Sequence, residues 1–173
     1  MMGGGDVGTL LQDWSANRGS PESQLVLLLF RSAQLAHRRV RPAAVARALV
    51  VLYRVLTRLY YGIELPVQVQ AGPGLVLLHG DALVVHPKTV LGARCVLRQS
   101  VTIGEQRGPD GSVGVPVFGD DVEVGPGAMI IGKVVIGSRA RIGPGALVLR
   151  SVPVGGVVSA APARLITTEG TVG

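Results

Sequence analysis

Residues 116–148 read PVFGDDVEVGPGAMIIGKVVIGSRARIGPGALV. Phe118, Val124, Ile130, Ile136, Ile142 and Val148 fall six apart, and glycine follows four of them directly, at Gly119, Gly125, Gly137 and Gly143. Two positions before each stands a compact residue: Pro116, Val122, Ala128, Val134, Ala140 and Ala146. A helix repeats its buried face every ~3.6 residues and a strand every ~2, so neither explains a spacing of six. Six is the period of a parallel β-helix, in which each side of a coil points one aliphatic residue inward and glycine eases the corner. Toward the N-terminus the period resumes at Ile103, Leu97, Leu91 and Val85. Ile103 to Phe118 is fifteen residues, one repeat plus nine, so a loop at about 105–114 must leave the prism. Its sequence, EQRGPDGSVG, is that of an exposed loop, and loops on a rigid scaffold are where sites are built.

Composition agrees with a narrow aliphatic interior. Of 173 residues 47% are hydrophobic, yet only 3% are aromatic, and a prism this slender leaves no room for rings. Charged residues at 16% and a mean hydropathy of +0.44 exclude intrinsic disorder. A single cysteine excludes a disulfide framework. No apolar run reaches the ~18 residues of a membrane span and no secretory leader is visible, so a cytoplasmic location is expected.

Charge divides the chain near residue 63. Residues 1–63 hold eight arginines against Asp6, Asp13 and Glu22, a net of +5, whereas residues 64–173 are nearly balanced at +1. The first segment reads as helical. Ser20-Pro21-Glu22 supplies an N-cap, a proline whose missing N–H costs nothing and an acid at the positive end of the dipole, predicting a helix over about 21–38. A second helix is expected from Pro42 to Tyr61, ended by Gly62, with Leu49, Leu52, Tyr53, Leu56 and Tyr60 on its apolar face and Arg47, Arg54 and Arg58 on another. Such a helix suits a membrane surface or nucleic acid, but packing on a neighbouring helix is the commoner fate, and no nucleic-acid partner is expected. A β-helix also needs capped ends, and these helices are expected to cover one or to mediate further association.

Counting back by six from Val85, the next inward slot falls on His79, an imidazole within LLHGDALVV, residues 77–85; LRQSVTIG follows at 97–104. With the terminal AAPAR of residues 160–164, these stretches make residues 62–166 resemble the serine acetyltransferase family of left-handed β-helix acyltransferases. The resemblance implies a left-handed parallel β-helix over 64–173 behind a helical segment at 1–63. It also implies transfer of an acetyl group from acetyl-CoA to a hydroxyl by a homotrimer or higher assembly. It makes His79 the general base, a role that suits a side chain titrating near neutrality, and places the family's orienting acid on Glu64. The donor would lie along Gly127, Ala128, Gly145 and Ala146, with Arg164 at the nucleotide phosphates and Lys133 and Arg150 as lesser candidates.

Departures from the family's pattern concern the acceptor. Gly114-Val115-Pro116 stands where serine enzymes carry Arg-His-Pro, so the second histidine and the carboxylate clamp are missing, and Leu78 replaces an aspartate. These changes point to a sugar, metabolite or natural-product alcohol. The chain ends without the family's C-terminal isoleucine, so no complex with cysteine synthase is expected. A noncatalytic β-helix scaffold or partner subunit is the competing reading; retention of His79 and the Pro-Ala-Arg ending favours the enzyme. Other motifs fall away. GAMIIGK at 127–133 nearly spells a phosphate loop, but Val134 replaces the metal-binding hydroxyl. Cys95 fills a compact slot, His86-Pro87 opens a repeat as a structural pair, and the three zinc histidines of a β-helix carbonic anhydrase are lacking, so no metal is expected.

Overall fold

A computed structural model describes residues 10–39, 42–108 and 111–162. Two helices, α1 (Pro21–Arg39) and α2 (Ala43–Tyr61), lead into a prism of stacked parallel coils with three faces. Face I carries Gln70–Ala71, Val90–Leu91, Val117–Phe118 and Val135–Ile136. Face II carries Val76–Leu78, Val96–Arg98, Glu123–Val124, Arg141–Ile142 and Val157–Val158. Face III carries Val84–Val85, Thr102–Gly104, Met129–Ile131 and Leu147–Val148. The residues spaced by six are the buried ones, stacked in files such as Leu77, Leu97, Val124 and Ile142 on face II. Each such side chain contributes roughly 1.5–3 kcal/mol on burial, and the files share one continuous core.

Register locates the irregularities. In the upper coils Glu123 pairs with Arg141 and Met129 with Leu147, eighteen residues on, three sides of six. Between the first two coils Val76 pairs with Val96, twenty residues on, whereas Val84 pairs with Thr102 at the regular eighteen. Two extra residues therefore lie between Leu78 and Val84. Since Leu78 pairs with Arg98, the surplus is His79-Gly80 and the regular step resumes at Asp81. This corrects the expected phase: the inward residue of this side is Leu77, and His79 is exposed at the corner. The nine-residue insertion is where the spacing placed it, and it folds as a short antiparallel hairpin of Gln106–Arg107 with Val113–Gly114.

Two further expectations are corrected. The glycines that follow inward residues do not supply a left-handed turn; on the edge between faces I and II that conformation belongs to Arg94, Asp121 and Arg139, with φ of 56°, 57° and 60°, and to Gly74 and Gly155 at the two ends of the file. The glycines are there because the next coil lies against them: a Cβ on Gly119 would stand 2.6 Å from the backbone nitrogen of Ser138. Nor is the prism closed to rings, for Phe118 is buried in the face I file, beside Ile136 of the next coil.

The helices close the open end of the first coil, as a β-helix requires. Polar side chains meet its unpaired backbone edge. Asn17 donates to the Leu75 carbonyl and accepts from the Leu77 N–H, Ser23 donates to the Leu77 carbonyl, and Gln34 donates to those of Val67 and Val69. Arg31 donates to the carbonyls of Ala71 and Gly72 and pairs at 2.7 Å with Asp13, both side chains at most 3% exposed. Gly62 caps α2 in the left-handed conformation, as the sequence indicates. The face of α2 differs from expectation: Ala46, Tyr53 and Thr57 are buried, whereas Leu49, Leu52 and Tyr60 are exposed.

Candidate active site

The edge between faces II and III brings most of the candidate residues into one line. Ala82, Ser100, Gly127 and Gly145 occupy equivalent left-handed positions in successive coils. Backbone bonds tie the edge together: Ser100 N–H to Asp81 at 2.8 Å, Gly127 N–H to Gln99 at 3.0 Å, and Gly145 N–H to Pro126 at 2.9 Å. With coils ~4.8 Å apart, the edge runs about 15 Å from His79 in the first coil to Gly145 in the fourth. His79 itself has a φ of 49°, an uncommon conformation for a residue with a side chain, and its carbonyl accepts the Asp81 N–H at 2.8 Å.

His79 lines a cleft of about 440 Å³ where the start of α1 and the end of α2 meet the first coil. Ser20, Glu22, Tyr60, Tyr61 and Asp81 share it. These residues were not singled out from sequence as site residues. Asp81 could have been found, two residues beyond the histidine; Glu22 gives no signal beyond that of a helix start. Glu64 lies elsewhere: its backbone bridges to Val84 on face III, and its carboxylate pairs with Arg58 at 3.2 Å. Among the described residues no hydrogen bond joins it to His79, and it lines a separate cavity of about 260 Å³.

Gly127 and Gly145 have φ of 67° and 64°, and open space lies where a Cβ would project. Their backbone is thus both conformationally demanding and approachable. The methyls of Ala128 and Ala146 point into the core, leaving only main-chain atoms for an outside ligand. Gln99, one coil above the insert, has a side-chain oxygen shielded from solvent that finds no hydrogen-bond partner among the described residues. Arg164 lies outside the described residues.

The hairpin stands on the opposite edge of face III, so one chain does not bring it to His79. His86 fastens its base: Nε2 lies 3.2 Å from Glu105, and Nδ1 accepts the Lys88 N–H at 3.2 Å. Both nitrogens are engaged, in keeping with a structural role. Among the described residues Arg107 pairs with Glu105, at 3.3 Å. Gly114 is buried, and a Cβ there would meet the Lys133 nitrogen at 2.5 Å. Cys95 is buried with its thiol on the Gly119 carbonyl at 3.3 Å, and burial raises its pKa to about 11, the reverse of an activated nucleophile.

Residues 116–150 match the family described as bacterial transferase hexapeptide, six repeats. An Escherichia coli K12 protein provisionally named colanic acid biosynthesis acetyltransferase WcaB is 32% identical over 129 residues, 72% of this chain and 78% of that protein. Serine acetyltransferase of Helicobacter pylori is 34% identical over 62% of this chain and 60% of its own length. Among solved structures, soybean serine acetyltransferase superposes with a TM-score of 0.73 at 27% identity, covering 93% of this chain and 69% of that one. The Neisseria gonorrhoeae enzyme, at 24% identity and a TM-score of 0.72 over 96% of this chain and 68% of that one, agrees in fold. The prism is thus a left-handed β-helix, and the chain belongs to the hexapeptide-repeat acetyltransferases, related to both serine acetyltransferase and the colanic acid enzyme.

Proposed function

We propose that this acetyltransferase moves an acetyl group from acetyl-CoA to a hydroxyl of a sugar, small metabolite or natural product, with His79 as general base. The observation that carries the reading is the insertion. The one pair added to the regular step of the first coil is His79-Gly80, and it stands on the same edge as Gly127 and Gly145. In the reaction, the acceptor oxygen attacks the thioester carbonyl while the His79 imidazole takes its proton. Carbon–sulfur cleavage then releases CoA, and the imidazolium returns a proton to the departing sulfur. A positioned base supplies roughly 10²–10⁴-fold in rate. The pantetheine arm fits the open backbone at Gly127 and Gly145, and the main chain beside Ala128 and Ala146 continues that strip. Arg164 is assigned to the nucleotide phosphates. The copies are taken to form a trimer, with the exposed Met129 and Leu147 of face III suited to burial between them, and the protein is assigned to the cytoplasm.

Three carboxylates compete to steady the imidazole. Glu22 and Asp81 share its cleft, whereas Glu64 must first leave Arg58, an exposed pair of little strength. Free serine is expected to be a poor acceptor. Binding its carboxylate needs a cation, and the position matching the family's clamp is Gly114, where the Lys133 backbone excludes any side chain. The test is consumption of acetyl-CoA with serine, sugars and metabolite alcohols in one assay, repeated with His79→Ala. The proposal expects turnover with an uncharged alcohol, a fall of about 10²–10⁴ in His79→Ala, and retained acetyl-CoA binding. Unchanged turnover in that variant would remove His79 from the chemistry. Comparing pH–rate profiles of Glu64→Gln, Asp81→Asn and Glu22→Gln identifies the positioning acid.

A further inference from the structure

The carboxylates of the described residues fall into two groups. Asp13, Glu64, Glu105, Asp121 and Glu123 each pair with an arginine, and Asp120 accepts the Ala93 N–H at 2.8 Å. Glu22 and Asp81 have neither an ion pair nor a side-chain hydrogen bond among the described residues. Both of them line the cleft that holds His79. That cleft also inverts the charge of its surroundings. The chain carries 17 Lys and Arg against 11 Asp and Glu, and residues 1–63, whose helices border the cleft, have a net +5, yet no Lys or Arg lines it.

Water answers both carboxylates while the cleft is open. A neutral acceptor that displaced this water would desolvate them and give nothing in return. An ammonium carries three donors and makes charge-assisted hydrogen bonds to either acid. Tyr60 and Tyr61 on the cleft wall add ring faces that attract a cation. Among the described residues no three His, Cys, Asp or Glu side chains converge as metal ligands, so the geometry favours an organic cation over a metal ion. At about 440 Å³ the cleft lies within the ~300–1,000 Å³ range of small-molecule pockets. We propose that the acceptor is an amine-bearing alcohol without a carboxylate, an amino alcohol or amino sugar, whose ammonium is held by the carboxylates of Glu22 and Asp81 while its hydroxyl faces His79. This names the substrate class of the site proposed above and rests on that reading. The acetyl group leaves the CoA sulfur for the hydroxyl oxygen, the hydroxyl proton passes through His79 to the thiolate, and the ammonium keeps its three protons. One of the two acids suffices for the ammonium, which leaves the other available to the imidazole.

The test is the acetyl-CoA assay on the full chain with two matched pairs, serinol against glycerol and glucosamine against glucose, which differ in an ammonium for a hydroxyl. Expected in each pair that is turned over is a kcat/KM at least about tenfold higher for the amine, with an ester product that hydroxylamine cleaves in acid-quenched samples. Glu22→Gln, Asp81→Asn or the two together should bring the ratio within a pair toward one. An acid that only steadies His79 would slow both members alike, so a ratio unchanged in all three variants overturns the proposal. Equal or better turnover of the uncharged members, or failure of both amines while another alcohol is acetylated, overturns it too and leaves transfer to a hydroxyl standing. An amide product, which hydroxylamine leaves intact, would make the amine the nucleophile and also overturn it. No turnover with any acceptor would overturn the acetyl transfer itself, and this assignment with it.

Discussion

The first coil and the two upper ones are built from the same six-residue unit and differ in what they do with it. Between the coils that carry Gly127 and Gly145 partners stand eighteen residues apart, falling to sixteen where Arg141 meets Val157 in the last turn, and the left-handed positions on the edge between faces II and III are the bare glycines Gly127 and Gly145. In the first coil that edge holds two residues more, one of them an exposed histidine with a φ of 49°, and side chains from the helices complete its free backbone. Adherence to the period builds a rod; the departure places a chemical group on it and opens a cleft between rod and helices.

Removing His79 and Gly80 together is the sharpest way to break this contrast. Asp81-Ala82-Leu83 would then follow Leu78 as Gln99-Ser100-Val101 follows Arg98, so the coil becomes regular. Transfer should fall by about 10²–10⁴, the full contribution of the base, while the melting temperature stays within a few degrees of the parent. Loss of the folded transition, seen by circular dichroism, would mean that the pair is structural and the contrast mistaken.

Arg31→Met probes the other half of the first coil's irregularity, its cap. The substitution leaves Asp13 buried without its cation and frees the Ala71 and Gly72 carbonyls. Removing one partner of a buried pair costs about 3–5 kcal/mol, to be read by denaturant titration. A change under ~1 kcal/mol would mean that water reaches Asp13 and that the cap is looser than its burial indicates.

How far the sequence could be read follows the same division. The prism from Val85 onward, the nine-residue excursion and the ends of both helices were legible because each rests on local chemistry: a slot that tolerates only aliphatics, a spacing that cannot close, a proline, a glycine. The phase of the first coil was not, because Leu75, Leu77 and Leu78 are equally apolar and a shift of two leaves no compositional mark. The partners of His79 were illegible for a different reason. Glu22 and Tyr60 reach the cleft only through the packing of helices on the coil, which no spacing records. The buried face of α2 was misjudged because size suggested Leu49 and Leu52, whereas packing against α1, where Phe30 meets Tyr53, goes with burial of Ala46, Tyr53 and Thr57.

In the regular coils the glycines that follow inward residues act by absence of volume, and Gly119→Ala tests this. Its Cβ would press on the Ser138 backbone at 2.6 Å, where no flexible side-chain end can yield. Overpacking of this kind costs about 1–3 kcal/mol. The same change at Gly111, which has φ of 76° but nothing within 4 Å, meets only backbone strain in an exposed hairpin. A denaturation midpoint lowered more at 111 than at 119 would reverse the assignment of steric and conformational glycines.

The smallest effect expected concerns Cys95, the nucleophile that the regular part of the prism keeps silent. Its thiol is buried, and burial lifts its pKa from an ordinary 9.0 to about 11. At pH 8 the native protein should therefore resist alkylation by iodoacetamide, whereas the unfolded chain reacts. The same shift links the thiol to stability. Between pH 9 and pH 11 the folded state holds a proton that the unfolded state has released, so the stabilisation present below pH 9 is lost as pH rises through that window. Cys95→Ala removes the titrating group, and its denaturation midpoint should fall less steeply over the same range, even though the smaller side chain lowers stability somewhat at neutral pH. Parallel curves for the two proteins would show that the thiol is hydrated in the native state. The compact slots of the regular coils would then be open to chemistry in the way the comparison reserves for the first coil.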